Sequence, residues 1–489
     1  MPADSLIFLM ICIFTFVPLF FAEIARKRTL PTSEDFFLQS RSMHSMFMYA
    51  TVFATWMSAF AFLGAISYFY EEGPIYMTTI GWDALFGILF YFMGRRIWYY
   101  GRMHKYITPT DFFDDIYGSR VLNLFVTCIS IFFTMIYLQI QLIGGLYLIQ
   151  TATGWSISWQ ASGLIFFAVL IIYLWAGGLR AVAMADTFYG ILLVVTIIAA
   201  GIFLINVAGG VESVFNKVIE DDTGNVTLSG NDSAEKVGLW ICLFIVVPVG
   251  AFMGPQMWIR NYAARSEKNF EILPFLLCLS SIICIGTLFA GSAGIVLYLH
   301  AKNPDTLIAT LMLRYANPFF CTFIFLGIAA AVFSTANSQI HALSAIYSVD
   351  IHKRYLNKTI PDRNLVNVAK WAVIVVSLFA YIILLFIPQS IFSMGVMALG
   401  GTSQLIIPVT GALFWSRSSA GGAIAGLSSG ITVFLMMIFI SGIDVSFCAV
   451  TGLLFNAVTF LLVSALMPEN EKTSRRIISY RESFRKKIS

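Results

Sequence analysis

Charged residues are scarce in this chain. Asp, Glu, Lys and Arg together make up 11% of its 489 residues, whereas soluble domains contain about 25%. Hydrophobic residues reach 58%, and the mean hydropathy is +0.82. A soluble protein of this length would need a charged surface that this sequence cannot supply. The composition therefore excludes a soluble fold and favours an integral membrane protein.

The apolar blocks lack the alternation of polar and apolar residues that marks membrane β-strands. They run for about 20 residues or more, the length at which a helix crosses a bilayer. The first block has no positive flank and no cleavage site, so we expect a retained span rather than a signal peptide. The sequence predicts an all-α membrane protein with thirteen spans, at about 4–25, 45–71, 76–94, 120–150, 158–176, 181–208, 237–260, 271–299, 318–349, 365–387, 390–414, 420–441 and 444–466.

Motifs of metal and enzyme chemistry are also missing. The seven cysteines form no CxxC pair, the five histidines are scattered without an HExxH, and no nucleophile motif stands out. The sequence has no stretch in which basic and aromatic residues alternate, so nothing in it indicates nucleic-acid binding. No charged ring suggests a channel pore, and the short tail has no room for the signalling domain of a sensor. These absences argue against an enzyme, a channel and a sensor.

The few basic residues are distributed asymmetrically between the loops. Cytoplasmic loops carry an excess of Lys and Arg. If the N-terminus lies outside, 26 of the 30 Lys and Arg residues fall on the cytoplasmic side, Arg260 among them. The sequence thus predicts a multi-pass protein of the plasma (inner) membrane with its N-terminus outside and its C-terminus cytoplasmic.

Two spans contain residues that interrupt helices. One is Ala54–Ala59, and the other joins Pro248–Gly250 to Gly254–Gln256. Broken membrane helices occur where they line a cavity, and these two lie five helices apart, as in an inverted five-plus-five repeat. The alternative is that Gly and Pro are simply common in membrane helices.

Few ionisable residues fall within the spans, and Asp83 and Asp186 are the clearest. An aspartate at the centre of a membrane helix costs about 2.5–3.5 kcal/mol, which calls for a partner, an ion or water. For Asp186 the alternative is a position near the membrane interface, because Arg180 precedes it by only six residues.

The span around residue 335 is rich in hydroxyl groups. Ala331, Ser334 and Thr335 share one helix face, since residues three and four apart are neighbours on a helix. Oxygen ligands suit a hard cation such as sodium. Close helix packing, which also favours small and hydroxyl residues, is the alternative, and the residues alone leave both open.

Several segments resemble the sodium/solute symporter family, whose members carry proline, pantothenate, monocarboxylates, sialic acid and sugars. Ser334–Gln339, running into Ser348–Arg354, resembles its eighth core helix, and Trp175–Val182 with Asp186 resembles its fifth. Ser58–Gly64 with Tyr68–Gly73 is similar to its first core helix, and Gln256–Arg260 with Ala263–Ser266 to its sixth.

The resemblance implies a LeuT-like fold of ten core helices in two inverted repeats. It implies one transporter domain over 1–489, with an extra N-terminal helix at 4–25, the core at 45–414, two further helices within 420–466 and a basic cytoplasmic tail at 467–489 beside membrane lipid. It also implies Na⁺ as the coupling ion.

The resemblance also implies which residues bind sodium. For a first site these are the backbone carbonyls of Ala54, Met57 and Ala331 with the hydroxyls of Ser334 and Thr335. A second site would use Asp186, Ser334, Asn337 and Ser338. Asn337 stands where the family leads us to expect serine, and Trp56 stands where some proline carriers have aspartate.

We expect the solute at mid-membrane, between the broken helices. Its candidate contacts are polar or aromatic residues in apolar blocks: Ser58, Phe60, Asp83, Gln139, Gln141, Gln256, Trp258 and Gln404. Each polar one could instead cap backbone groups. The expected function is sodium-coupled symport of a small organic solute, an amino acid or organic carboxylate, by alternating access. Proton coupling on the same fold and a transporter-like sensor are the alternatives.

Overall fold

The chain folds into helices throughout the part that is described. The structure is a computed structural model and describes residues 9–10, 14, 16–221, 233–298, 301–386, 390–440, 443–467 and 471–488. Over these ranges the only β contact is an isolated bridge between Met43 and Ala264. The all-α prediction is confirmed.

Apolar runs determine where the helices lie. In chain order they are α1 Val17–Arg26, α2 Ser33–Leu38, α3 Ser45–Trp56, α4 Ala65–Glu72, α5 Gly81–Leu89, α6 Arg95–His104, α7 Pro109–Tyr117, α8 Arg120–Ala152, α9 Trp159–Val207, α10 Val211–Asp221, α11 Ser233–Met253, α12 Pro255–Ala263, α13 Lys268–Ser280, α14 Ile283–Leu297, α15 Leu307–Tyr315, α16 Pro318–Ile346, α17 Asp362–Leu384, α18 Ile391–Ser403, α19 Ile406–Phe414, α20 Ala420–Ile438, α21 Val445–Leu466 and α22 Glu471–Ile488. Three segments widen into π-helix, Phe60–Gly64, Phe90–Gly94 and Tyr347–Leu356.

The number of spans stays partly a prediction. Within the described ranges nine helices are long and apolar enough to cross a membrane, and the bent pair Ser45–Trp56 and Phe60–Glu72 makes ten. The predicted span 158–176 is the first part of α9, and 76–94 is divided between short helical segments. Part of the predicted 4–25 span lies outside the described residues.

Both predicted breaks exist. The first lies between Trp56 and Phe60, where the chain bends by 57°. The second is at Gly254, whose extended backbone (φ −61°, ψ 135°) separates α11 from α12. Pro255 then begins α12, as proline often does at the first position of a helix. The other expected interruption, Pro248–Gly250, is absent, since α11 continues through Pro248.

Two further interruptions are present, and the first falls between the predicted spans 158–176 and 181–208. Helix α9 contains Gly178 in a conformation reserved for glycine (φ 56°, ψ −158°). A Cβ there would lie 2.5 Å from the carbonyl oxygen of Phe36, so glycine is also required by close approach. The predicted span 390–414 divides after Ser403 into α18 and α19.

Helices α11 and α18 touch through their backbones. A Cβ at Gly250 would lie 2.0 Å from the carbonyl oxygen of Leu399. The Thr402 hydroxyl donates to the Gly250 carbonyl at 2.8 Å. This contact joins the helix before the second break to the tenth helix of the core.

The basic tail is a helix packed on the protein. Within α22, Ile477 and Phe484 are buried, and the Tyr480 hydroxyl donates to Asp115 Oδ2 at 2.5 Å. Tyr99 on α6 donates to the carbonyl oxygen of Ser483 at 3.3 Å. We infer that the tail does more than extend into solvent, because its apolar face covers α6.

Candidate functional site

The predicted first-site residues meet where α3 ends against α16. The Ser334 hydroxyl donates to the carbonyl oxygens of Ala54 at 2.8 Å and Ala331 at 3.0 Å. Hydrogen bonds thus join three of the five predicted sodium ligands, Ala54, Ala331 and Ser334. A helix C-terminus carries partial negative charge on its free carbonyls, which suits a cation.

The other two predicted ligands, Thr335 and Met57, lie nearby but make no hydrogen bond with Ser334. The Thr335 hydroxyl donates to the carbonyl of Thr55 at 3.0 Å. Met57 follows the last residue of α3 and has left the helical conformation (φ −80°, ψ 71°), so its own carbonyl is not committed to the α3 ladder. The five residues therefore surround one break.

Two of the residues predicted for a second sodium, Asp186 and Ser338, contact a guanidinium. Arg260, which the span pattern assigns to a loop, lies in α12 and is only 1% exposed. Its Nη2 atom is 3.0 Å from Asp186 Oδ2 and 2.6 Å from Ser338 Oγ. The loop assignment of Arg260 was wrong, because Pro255 begins a second short helix and Arg260 lies buried within it.

Asn337 takes no part in these bonds. Neither atom of its buried amide has a hydrogen-bond partner in the described part of the chain, and the same holds for Asp186 Oδ1. Buried polar atoms normally find partners or water. Asn337 and Asp186 Oδ1 therefore keep hydrogen-bonding capacity that no described residue uses.

A largely apolar cavity opens at the first break and contains one carboxylate. Trp56, Met57, Phe60, Trp82 and Asp83 line it, with residues of α4 and α14. Asp83 accepts hydrogen bonds from Trp56 Nε1 at 2.5 Å and from the hydroxyl of Ser281 at 2.7 Å. Two of the candidate solute contacts, Phe60 and Asp83, therefore share this cavity.

Three other candidates lie at the breaks, and two of them bond to the backbone there. Gln141 Oε1 accepts from the backbone N–H of Ala59 at 3.1 Å, and Ser58 Oγ accepts from the N–H of Phe60 at the same distance. The side-chain oxygen of Gln256, beside the second break, has no partner among the described residues. The capping role that the sequence left open applies to Ser58 and Gln141.

The remaining candidates lie elsewhere. Gln139 donates to the Met135 carbonyl of its own helix at 3.4 Å and lines a separate apolar cavity with Phe379. Gln404 bonds to α21, donating to the Ala449 carbonyl at 3.2 Å. Trp258 is fully buried against Phe112, with ring centroids 5.4 Å apart. These positions do not join Phe60 and Asp83.

Sequence reasoning missed Arg260, Thr51 and Thr55. One signal was available for Arg260. Proline at the first position of a helix indicates that a new helix begins, and Arg260 follows Pro255 by five residues, within that helix. Thr51 and Thr55 sit one turn apart on α3, and nothing in the sequence distinguishes their hydroxyls from packing residues.

On the side of the molecule formed by the 301–315 segment, Asp305 connects two core elements. Its carboxylate accepts from the N–H of Ile391, the first residue of α18, at 3.0 Å, and from the Ser67 hydroxyl of α4 at 3.2 Å. Burial raises the pKa of the Asp305 carboxyl, and these two hydrogen bonds oppose the rise.

Comparison with known proteins yields one consistent set of relatives. The sequence pattern of the sodium:solute symporter family matches residues 36–430. The sodium/pantothenate symporter of Escherichia coli (strain K12) is 25% identical over 428 residues, covering 84% of this chain and 86% of that protein. Sodium/proline symporter 2 of Staphylococcus saprophyticus is 25% identical over 451 residues, covering 88% and 86%.

A solved structure has the same architecture. The substrate-bound outward-open state of a Na⁺-coupled sialic acid symporter superposes with a TM-score of 0.81 at 19% identity, over 96% of this chain and 98% of that one. At this identity the likeness establishes the fold alone. The predicted LeuT-like five-plus-five architecture is confirmed.

Proposed function

This chain belongs to the sodium:solute symporter family, and we infer that its solute is an amino acid or a small organic carboxylate, carried with sodium across the plasma membrane by alternating access. Sodium-coupled transport, and not enzymatic chemistry, is what membership of the family and the LeuT-like fold establish. The identity of the solute, the residues at each site and the orientation of the chain are our proposals.

One observation carries the proposed sodium site. Ser334 Oγ lies within hydrogen-bond distance of both the Ala54 and the Ala331 carbonyl. A sodium ion at this point would be held by these two carbonyls, the hydroxyls of Ser334 and Thr335, and the free carbonyl of Met57. Such a site spans the first and eighth core helices, so the ion would hold the broken helix against α16.

The cavity at the first break supports the proposed solute site. Its walls are mostly apolar and include several aromatic rings, and the Asp83 carboxylate is an acceptor buried among them. Small-molecule sites combine apolar walls with a few placed polar groups. We expect the solute to present a hydrogen-bond donor, such as an ammonium, hydroxyl or amide N–H, to Asp83. Both an amino acid and a hydroxylated carboxylate satisfy this requirement.

The experiment is solute uptake into proteoliposomes under an imposed sodium gradient. A unit charge crossing 100 mV supplies about 2.3 kcal/mol, so one sodium ion can drive accumulation. Amino acids, organic acids and sugars are first screened for sodium-dependent thermal stabilisation of the carrier. Uptake that follows a proton gradient, with sodium making no difference, would contradict the coupling.

Asp83→Asn tests the solute site. It should raise the KM for the solute while leaving sodium-dependent stabilisation in place. Ser281→Ala is the matched control: it removes one hydrogen bond to Asp83 but keeps the carboxylate, so its effect on KM should be smaller. Equal KM values for wild type and Asp83→Asn would move the solute away from this cavity.

The orientation has a separate test. We propose that the N-terminus lies outside and the C-terminus in the cytoplasm, which matches the basic residues of α22 to the cytoplasmic leaflet. A fluorescent reporter fused after Ser489 should fluoresce if that end is cytoplasmic, and a periplasmic phosphatase reporter at the same place should stay inactive.

A further inference from the structure

A second cavity lies between α8, α17 and α18. Its volume is about 500 Å³, within the range of roughly 300–1,000 Å³ that small-molecule sites have. We call it the lateral pocket. It is lined by one face of α8 from Cys128 to Gln139, by Phe379 and Ile383 of α17, and by Met394 and Met397 of α18.

The lateral pocket opens towards the bilayer. Phe132 of α8 and Phe379 of α17 both line it, and they are 50% and 54% exposed. Both helices are long and apolar enough to cross a membrane, so the surface that they expose along their apolar length faces hydrocarbon. A ligand that enters from this side passes through the bilayer and must therefore be mostly apolar.

The buried amide of Gln139 lines this pocket and is not satisfied by the protein. Gln139 is 1% exposed, and its Oε1 atom has no hydrogen-bond partner among the described residues. Its Nε2 atom donates only to the Met135 carbonyl of its own helix, at 3.4 Å. Buried polar atoms normally have a partner, because an unpaired acceptor in apolar surroundings is costly. The pocket therefore favours a ligand that brings a hydrogen-bond donor.

A lone water molecule does not meet this requirement. A buried water makes about three hydrogen bonds and needs two to four polar partners. Besides Gln139, the residues that line the pocket have hydrocarbon or sulfur side chains, and sulfur is only a weak donor or acceptor. A donor attached to an apolar body fits better, since the body fills the pocket while the donor reaches Oε1.

The depth of Gln139 in the membrane favours a neutral donor. Gln139 lies nineteen residues after Arg120, the first residue of α8, which is about 28 Å along a helix of about 50 Å. A charged group far from both helix ends is costly in hydrocarbon, which disfavours an ammonium. A hydroxyl is neutral and brings fewer further polar atoms than an amide does.

The shape of the lateral pocket favours a chain over a compact ring. From Cys128 to Gln139 its α8 wall extends over eleven residues, about 16 Å of helix. Met135, Met394 and Met397 line it as well, and flexible thioether side chains adapt to the outline of a ligand. A linear aliphatic body therefore fits along this wall.

We propose that the lateral pocket binds neutral aliphatic alcohols dissolved in the bilayer, with the hydroxyl donating to Gln139 Oε1 and the chain lying along α8 towards Cys128. This site is separate from the proposed solute site, and α18 contributes to both. Met394 and Met397 line the lateral pocket, whereas a Cβ at Gly395 would lie 2.3 Å from the Phe60 ring of the solute cavity.

Photolabelling tests the position of this site. The probe is octanol with a diazirine on its chain, added to the carrier in proteoliposomes, and mass spectrometry locates the adducts. They should lie on the pocket residues of α8, α17 and α18. They should be absent from the exposed apolar face of α21, which includes Leu454 and Phe455. Adducts spread evenly over all exposed apolar surfaces would overturn the proposal, because they would show only that the probe dissolves in the lipid.

Competition tests the hydrogen bond to Gln139. Octanol and octyl methyl ether are compared at equal concentrations in the membrane, and only octanol has a hydrogen to donate. In wild type, octanol should displace the probe at a concentration about three- to tenfold lower than the ether, which is the worth of one net hydrogen bond. Equal competition by the two compounds would contradict the proposal and indicate an unspecific site for hydrocarbon chains.

Gln139→Leu removes the acceptor and keeps a side chain of similar size. Octanol should then compete no better than the ether, and a preference that survives in this variant would refute the role of Gln139. Gln150→Leu is the matched control. Gln150 is also buried on α8, with an Oε1 atom that has no partner in the described part of the chain, but it does not line the pocket. This variant should keep the preference for octanol.

The wild-type adducts and the wild-type competition decide the matter even if Gln139→Leu does not fold. Asp83→Asn separates the two cavities, since Asp83 lines only the one at the first break. Labelling of Asp83→Asn should equal that of wild type, and its loss would place the probe in the solute cavity. The labelling needs no sodium gradient, so a failure of the proposed sodium coupling would leave this test unaffected.

Discussion

The hydroxyl oxygen of Ser334 lies 2.8 Å from the carbonyl oxygen of Ala54, a residue 280 positions earlier in the chain. The bond joins the last turn of α3 to the middle of α16. Ala54 lies three residues before the first break. A cation that binds the Ala54 carbonyl in place of the Ser334 hydroxyl hydrogen would therefore also hold the end of α3.

Ser334→Ala should weaken sodium binding. It removes one oxygen ligand of the ion, and we expect a loss of about 1.5–3 kcal/mol, as for a hydrogen bond to a charged group. Since 1.4 kcal/mol is tenfold, the sodium concentration for half-maximal uptake should rise roughly ten- to hundredfold. Sodium titration of initial uptake rates measures this.

Ser344→Ala is the control for that prediction. Ser344 is equally buried on the same helix, and its hydroxyl donates only to the His341 carbonyl of α16, at 2.7 Å. Its sodium dependence should match wild type. A shift of equal size in both variants would assign the effect to helix stability.

Gln141→Leu should destabilise the carrier. The substitution leaves the N–H of Ala59, which is fully buried, without its acceptor, at a cost of about 1–3 kcal/mol. The melting temperature in detergent should fall. Gln139→Leu, two residues earlier, loses only a 3.4 Å bond to its own helix and should melt close to wild type.

Stability should depend on pH through Asp305. Burial raises the pKa of this carboxyl above its ordinary value of 3.8, so the folded state favours the protonated form. Its contribution is fully present below pH 3.8 and is lost as the pH rises through the folded-state pKa. Asp305→Asn cannot ionise and should lack this loss.

Melting temperatures of wild type and Asp305→Asn across acidic pH measure the effect. As the pH rises, the melting temperature of wild type should fall relative to that of Asp305→Asn. A difference that stays constant over the whole range would show that the Asp305 pKa is the same in the folded and unfolded chains.

Phe484→Ala should release α22 from the protein. Phe484 is buried and its ring lies 5.5 Å from that of Tyr99; removing a buried phenylalanine side chain costs about 3–5 kcal/mol. Trypsin should then cleave faster at the basic residues of α22. Ile478→Ala, on the exposed side of the same helix, should be cleaved at the wild-type rate.

Sequence reasoning located the elements better than their contacts. Hydropathy and length determine where helices cross a membrane, and Gly254 with Pro255 identified a real break. Pro248 did not, because a proline inside a membrane helix is tolerated when neighbouring groups satisfy the freed carbonyl. The division after Ser403 had a signal that was not used: Pro408 has no N–H for the Gln404 carbonyl four residues earlier, and Asn456 Nδ2 donates to that carbonyl at 2.9 Å instead.

The candidate site was predicted only in part, because contacts between helices are harder to predict than the helices themselves. Ser334, Thr335 and Ala331 share a face that follows from helical spacing, and their meeting with Ala54 agrees with the resemblance. Gln404 and Trp258 face other helices, since the direction of a side chain depends on which neighbour packs against it. Arg260 was misassigned because a charge count cannot distinguish a loop from a half-helix that stays inside the membrane.

The contact between Gly250 and Leu399 limits how the carrier can change shape. There is no room for even a methyl group between the two backbones, and Thr402 is bonded across them. We therefore expect α11 and the first half of the tenth core helix to move together. Spin labels placed on these two helices should keep a constant separation across the transport cycle, and the hinges must be sought at the breaks on either side, after Met253 and after Ser403.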